Sequence, residues 1–285
     1  MILLDYSAIM HSNIMAQVGF DPDPGTVVDE SLIRHSILNT IRANNAAFRG
    51  KYGELILVFD SKSGYWRKEI FPFYKARRKK DREESPLDWE LIFQTVDKVK
   101  GEIIDNFPYR TVEVAGAEAD DVIAELSSDV SSPTLILSTD KDLLQLQGRF
   151  GNWVEQYDPV RKNFLTHENP VKYLLEKVIK GDRGDGVPNV MMPDDTFIKE
   201  VRQKPITAKR LEEFSRDLPR GVGDEEHVRN YKRNDMMIDL KNIPKVIRTS
   251  VRETFEGQKP KGKSKLTNYF MKNKLRNLFE AIGDF

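Results

Sequence analysis

The 285-residue chain is predicted to fold as an α/β protein, with helices flanking a central, mostly parallel sheet and a smaller helical region at the C-terminal end. Three observations predict this. Short runs of Ile, Leu and Val recur, the pattern of strands buried on both faces. Stretches with apolar residues at helical spacing lie between those runs, and such alternation builds a parallel sheet. After about Asp185 no strand-like run follows, and the chain becomes charged and helical with loop breaks.

The strand candidates are Ile2–Leu4, Leu55–Phe59, Thr111–Val114 and Thr134–Leu137. The segment Leu32–Phe48 places Ile33, Ile37, Ile41 and Ala47 on one helical face, and Pro86–Ile104 repeats the pattern from Leu87 to Ile103. Asp120–Leu126 and Lys141–Leu146 also read as helix. Trp153–Tyr157 and Asn163–Leu165, joined through Asp158-Pro159, form a hairpin at the sheet edge. The expected division is residues 1–185 as the α/β unit and 186–285 as the helical one, with Gly257–Lys265 a basic linker.

Hydrophobic residues make up 39% and charged residues 32%, the balance of a soluble globular protein. Lys+Arg and Asp+Glu each total 45, so any charge asymmetry lies in the distribution along the chain. The absence of cysteine excludes disulfides and thiolate metal sites. The start MILLDYSAIM has no basic lead, and no apolar run approaches the roughly 18 residues of a membrane span. A cytoplasmic location with no membrane association follows as the expectation.

The acids are not scattered. Ile2-Leu3-Leu4 runs into Asp5, Leu57-Val58-Phe59 into Asp60, and Leu135-Ile136-Leu137 through two residues into Asp140 and Asp142. Ligands of open α/β sheets bind outside the carboxyl ends of the strands, so these aspartates converge on one rim. A single such Asp is commonly a helix cap or turn residue; three in one chain argue for a site. Glu118, Asp120 and Asp121 follow the third strand, more acid than dipole complementation requires. Asp182 and Asp185 lie in the glycine-punctuated turn Gly181-Asp182-Arg183-Gly184-Asp185-Gly186. Two carboxylates about 4 Å apart repel by about 4 kcal/mol at an effective dielectric near 20, so such a cluster needs cations. An all-oxygen donor set selects Mg²⁺ or Mn²⁺ over zinc. His11, His35, His167 and His227 show no ligand spacing.

Directly after Asp60 comes a basic stretch. Arg67–Arg82 holds eight Lys/Arg against two acids, with Trp66, Phe71, Phe73 and Tyr74 interleaved. Basic side chains among aromatics suit phosphates and stacked bases, so the expected ligand is a nucleic acid. Arg67, Lys75, Arg77, Arg78, Lys79 and Lys80 are the candidate contacts, with Lys75 and Arg78 presented together to a phosphate. Tyr65, Trp66 and Tyr74 are candidates for stacking on an unpaired base.

In order, Asp5, FDSKSGYWR with Asp60, FYKARR, AEADD, STDKD and GDRGD resemble the 5′-nuclease (flap endonuclease) superfamily over most of the first ~190 residues. KSGYWRKE, REES-PLDWE and the continuation after GDRGDGVPNV are most similar to its T-even bacteriophage ribonuclease H branch. The resemblance implies a PIN-like nuclease domain with a basic helical arch over about 62–90, and a C-terminal region that binds duplex and partners. It implies two Mg²⁺ ions, with Mn²⁺ able to substitute. One would be held by Asp5, Asp60, Glu118, Asp120 and Asp140 with Asp142, the other mainly by Asp121, Asp182 and Asp185. It implies Lys75 and Arg78 as the phosphate-steering pair, and two-metal 5′→3′ hydrolysis of flap DNA and RNA–DNA duplexes by a monomer during phage primer removal. The family's glycine-rich turn after this loop is replaced by Val190-Met191-Met192-Pro193-Asp194-Asp195-Thr196, which shifts the expected duplex contacts to Lys209 and Arg210.

Near the C-terminus, Leu266, Tyr269 and Phe270 have the spacing of a sliding-clamp-binding motif, although Lys263 stands where Gln is usual; a helix docked on its own domain is the competing reading. The resemblance adds a single-stranded-DNA-binding protein as a C-terminal partner. Two other functions compete with cutting at 5′ ends. A degenerate branched-DNA-binding module would have lost carboxylates that are present here, and a small RNA-cutting PIN nuclease would lack the basic arch.

Overall fold

The computed structural model describes residues 1–19, 22–23, 26, 28–129, 131–259 and 261–285. Its centre is a six-stranded sheet in the order β3-β2-β1-β4-β5-β6. The strands are β1 (Ile2–Asp5), β2 (Leu55–Val58), β3 (Arg110–Val112), β4 (Thr134–Leu137), β5 (Val154–Asp158) and β6 (Asn163–Leu165). The first five pair in parallel and only β6 runs antiparallel to β5. All four β-run expectations and the edge hairpin are present, with ends shifted by a residue or two.

Alternation along the strands sorts the core into two layers. Ile2, Leu4, Leu55, Leu57, Leu135 and Leu137 face α1 (Tyr6–Val18), α2 (Glu30–Tyr52) and, past α3 (Trp66–Ile70) and α4 (Arg77–Glu83), α5 (Trp89–Asn106). Leu3, Ile56, Val58 and Ile136 face the opposite layer, which includes α6 (Ala119–Leu126). After the short turn Lys141–Leu143 come α7 (Leu144–Phe150), α8 (Pro170–Lys180), α9 (Ala208–Asp217), α10 (Glu225–Ile238) and α11 (Lys245–Glu256). Ile247 and Val251 of α11 close the second layer.

The chain ends with α12 (Leu266–Lys272) and α13 (Arg276–Glu280). These helices correct two sequence expectations. Leu266, Tyr269 and Phe270 are 0%, 5% and 1% exposed, so they are core residues and not a clamp-binding motif. They pack with Leu278 and Phe285 against the first core layer, where Phe107 touches the rings of Tyr269, Phe270 and Phe285 edge-on. A boundary at 185/186 therefore does not divide the core. The C-terminal segment supplies part of the wall of the sheet's own hydrophobic layer.

Candidate active site

The strand order reverses between β1 and β4, and a crevice opens there at the carboxyl ends. Asp5 closes β1 and also caps α1, accepting from the Ala8 N–H at 3.1 Å. Its other oxygen accepts from Ser138 Oγ at 2.8 Å, and that hydroxyl in turn accepts from the Asp140 N–H at 3.1 Å. Ser138 thus ties the ends of the two central strands together. Asp60 is held from both sides, by the Ser7 hydroxyl and by the first-turn N–H of Ala119 at 2.9 Å. The capping role and the site role coincide in the same side chains.

Asp5, Asp60, Asp120 and Asp140 form a group of carboxylates that repel one another. Burial, and then the charge of Asp60, raise the Asp5 carboxyl to about 7. Burial followed by Asp140, Asp5 and Glu118 raises Asp120 far above the usual carboxylate range. Asp140 is raised too, by desolvation against the opposing charge of Lys177, with Asp185 and Asp182 adding to the rise.

The remaining five acids carry cations. Lys177 of α8 bridges Asp142 and Asp182, at 2.8 Å from the latter. Burial would raise Asp182, but Lys177 outweighs it and holds the carboxyl low. Asp185 accepts from Arg78 at 2.7 Å and from the Tyr74 hydroxyl at 2.8 Å. Glu118 takes Lys75, the Tyr74 hydroxyl at 2.9 Å and Arg67 at 2.7 Å. Asp121 is fully buried. Arg67 grips it at 2.8 and 3.0 Å, Trp66 Nε1 donates at 3.0 Å, and the Glu118 N–H at 3.0 Å completes a capping box.

These contacts reassign several predicted residues. Asp121 is not available as a metal ligand, because both its oxygens are spent on Arg67, Trp66 and the Glu118 N–H. Arg67 is 3% exposed and also donates to the Met237 carbonyl, so it is an internal clamp and not a nucleic-acid contact. Trp66 and Tyr74 are likewise buried and cannot stack on a base. Lys75 and Arg78 do stand together at the crevice. Lys75 adopts φ 55°, with its N–H on the Asp185 carbonyl at 2.8 Å, a left-handed conformation fixed at the site. Arg78, Lys79 and Lys80 are exposed on α4, which has no buried residue, and Arg77 beside them is half-buried. Lys209 and Arg210 lie exposed in the first turn of α9.

Sequence reasoning missed Ser138 and Lys177. The first sits inside STDKD, where a hydroxyl two residues before Asp140 was a readable signal. The second sits five residues before Asp182 on a helix not anticipated. Glycine is required in the turn that follows: Gly181 has φ 72°, and a Cβ there would lie 2.3 Å from the Val187 carbonyl oxygen.

Among the described residues no three acids stand close enough together, as oriented here, to hold a metal ion. The donor chemistry nevertheless fits one. The four mutually repelling carboxylates are hard oxygen donors, and a divalent cation would relieve their repulsion while keeping them ionised.

A family model described as the 5'-3' exonuclease N-terminal resolvase-like domain matches residues 2–173, and one described as the T4 RNase H C-terminal domain matches residues 170–285. The ribonuclease H of Enterobacteria phage T4 is 32% identical, over 99% of this chain and 95% of that protein. A 5'-3' exonuclease of Mycoplasmopsis pulmonis is 31% identical over 48% of this chain and 46% of its own. In structure, the T5 5'-exonuclease with bound zinc superposes at TM-score 0.60 and 16% identity, covering 90% of this chain and 97% of that one. The T5 D15 flap endonuclease in complex with DNA and metal ions gives 0.60 at 15% identity, over 99% and 98%. Both share this fold, and the two family models together span the chain from the second residue to the last. The chain belongs to the 5′–3′ exonuclease family of nucleases, with a C-terminal region of the T4 RNase H type.

Proposed function

We propose that this chain is a Mg²⁺-dependent 5′→3′ exonuclease and flap endonuclease, acting on DNA flaps and RNA–DNA duplexes in the removal of RNA primers during phage replication. The observation that carries the reading is the group Asp5, Asp60, Asp120 and Asp140, three of which are raised by burial and mutual charge at the switch point of the sheet, with Lys75 and Arg78 beside them. These four would hold one ion. Asp142, Asp182 and Asp185 would hold a second once Lys177 and Arg78 give way. Bound divalent ions supply the Lewis acidity and lowered water pKa that phosphodiester hydrolysis requires. The chain's own part is to orient the carboxylates through Ser7, Ser138 and the Ala119 N–H, and to bring the Lys75 ammonium and Arg78 guanidinium to a phosphate whose charge increases during the reaction. The exposed lysines and arginines of α4 provide the electrostatic approach for a polyanion.

The test is cleavage of a 5′-labelled flap and of a 5′ RNA–DNA hybrid, with Mg²⁺ or with EDTA. Mg²⁺-dependent release of short 5′ products is expected, and Asp120→Asn should reduce it at least ~100-fold, the scale of removing a transition-state charge contact. Equal product in EDTA would sink the metal mechanism. Tight flap binding by wild type with no cleavage in Mg²⁺ or Mn²⁺ would favour a binding-only module.

A further inference from the structure

A hollow of about 370 Å³ lies beside the crevice, between the arch and the segment that follows the GDRGD turn. Three arginines from three parts of the chain line it: Arg77 of α4, Arg183 of the turn, and Arg202. Phe197, Glu200, Val201 and Gln203 complete the wall. Its size lies in the range of small-ligand sites.

Charge decides what the hollow accepts. Arg77 pairs with Asp81 within its own helix, whereas no ion pair of Arg183 or Arg202 is present among the described residues. The single acid in the wall, Glu200, is tied to Lys80 at 2.5 Å, and Lys80 and Arg77 together hold its carboxyl below the usual range. Glu200 itself sits at φ 54°, so this segment is fixed in an uncommon backbone conformation where it meets the arch. Gln203 uses its oxygen on the Asn189 N–H at 2.8 Å, which leaves its NH₂ as a donor. The wall therefore combines guanidinium forks, an amide donor and one half-buried ring, the combination that suits a phosphodiester with an adjoining base.

Position links the hollow to the reaction. Arg183 lies between Asp182 and Asp185 in sequence, and Arg77 precedes Arg78, which donates to Asp185. A strand with one phosphate at Lys75 and Arg78 would pass the hollow with a neighbouring nucleotide.

We propose that the Arg77–Arg183–Arg202 hollow is a phosphodiester-binding subsite for the strand being cut. It seats a nucleotide next to the scissile one, between the arch and the segment after the GDRGD turn. The proposal rests on the nuclease reading above, but its test does not require cleavage.

The test measures fluorescence anisotropy of a labelled 5′-flap DNA across a salt series, in Ca²⁺ with full-length protein. Arg183 and Arg202 are both exposed, so the Arg183→Ala/Arg202→Ala double variant should keep the wild-type unfolding transition. One lost phosphate contact should lower the slope of log affinity against log salt by about one, and weaken binding roughly ten-fold at 0.1 M salt. Arg183→Lys/Arg202→Lys should restore the slope but not the full affinity, because lysine lacks the bidentate fork. A slope and affinity equal to wild type in the alanine variant overturn the subsite. A wild-type chain that binds the flap with the expected slope but never cuts it overturns the nuclease reading and leaves the subsite standing.

Discussion

Asp120 and Asp121 are neighbours in sequence and opposites in environment. Asp120 faces Asp140, Asp5 and Glu118, whereas Asp121 is locked to Arg67 in the interior. Replacing either by Asn removes one negative charge, with opposite consequences. Asp120→Asn relieves repulsion, so the metal-free protein should unfold at a higher urea midpoint while cleavage is lost. Asp121→Asn leaves the Arg67 charge short of its buried partner, which costs about 3–5 kcal/mol. Equilibrium urea unfolding in EDTA checks both, and equal midpoints for the two variants would contradict this division. Asp5 adds a pH dependence. Its folded carboxyl is raised to about 7 from 3.8, so the folded state holds its proton more tightly than the unfolded chain. The stability this gives is full below about pH 4 and is lost as pH rises through about 7, on the order of 4 kcal/mol in all. Metal-free protein should therefore lose stability between pH 5 and pH 8, and Asp5→Asn should flatten that part of the profile.

At the scale of elements, helix α12 shows how far a motif can be read from spacing. Phe270 is 1% exposed and packs on Phe107 and Phe285, so Phe270→Ala should cost about 3–5 kcal/mol in unfolding experiments. A role only in partner binding predicts no change in the unfolding midpoint. Three of the four parallel-strand candidates were legible as runs of Ile, Leu and Val, and the fourth, Thr111–Val114, as β-branched residues around Glu113; the sheet-end acids were legible because strands end where those runs end. Helix α1 was hidden because its cap is Asp5, which a site reading already explained. Nothing local distinguishes Arg67 from its neighbours Lys68 and Lys75, yet it meets Asp121 from 54 residues away and Met237 from 170. Long-range ion pairs decide which carboxylates are free, and periodicity does not encode them. For the same reason the nine acids could be assembled from sequence but not divided between compensated and uncompensated ones.

At the scale of the whole molecule, the first core layer runs across the 185/186 boundary, which predicts cooperative unfolding of the full chain. Leu266, Phe270 and Leu278 are at most 1% exposed, with Tyr269, Leu275 and Phe285 at 5%, 8% and 3%, and all six seal the layer formed by β1, β2, α2 and α5. Asp284 reinforces the join, accepting from Arg42 at 2.7 Å through its carboxylate and from Asn45 at 2.7 Å through its carbonyl. Burial of one such side chain contributes about 1.5–3 kcal/mol, so six together rival the roughly 5–15 kcal/mol net stability of an entire domain. The second layer loses Leu240, Ile243, Ile247 and Val251 if the chain is cut at the same place. A fragment of residues 1–185 carries all nine acids and the arch, so the sequence alone suggests a minimal nuclease. The packing predicts otherwise. That fragment should lack a sigmoidal urea transition and should bind a dye for exposed apolar surface, while the full chain unfolds in one step. A fragment with a sharp transition and a midpoint near that of the full chain would show that the C-terminal helices only lean on a domain already complete without them.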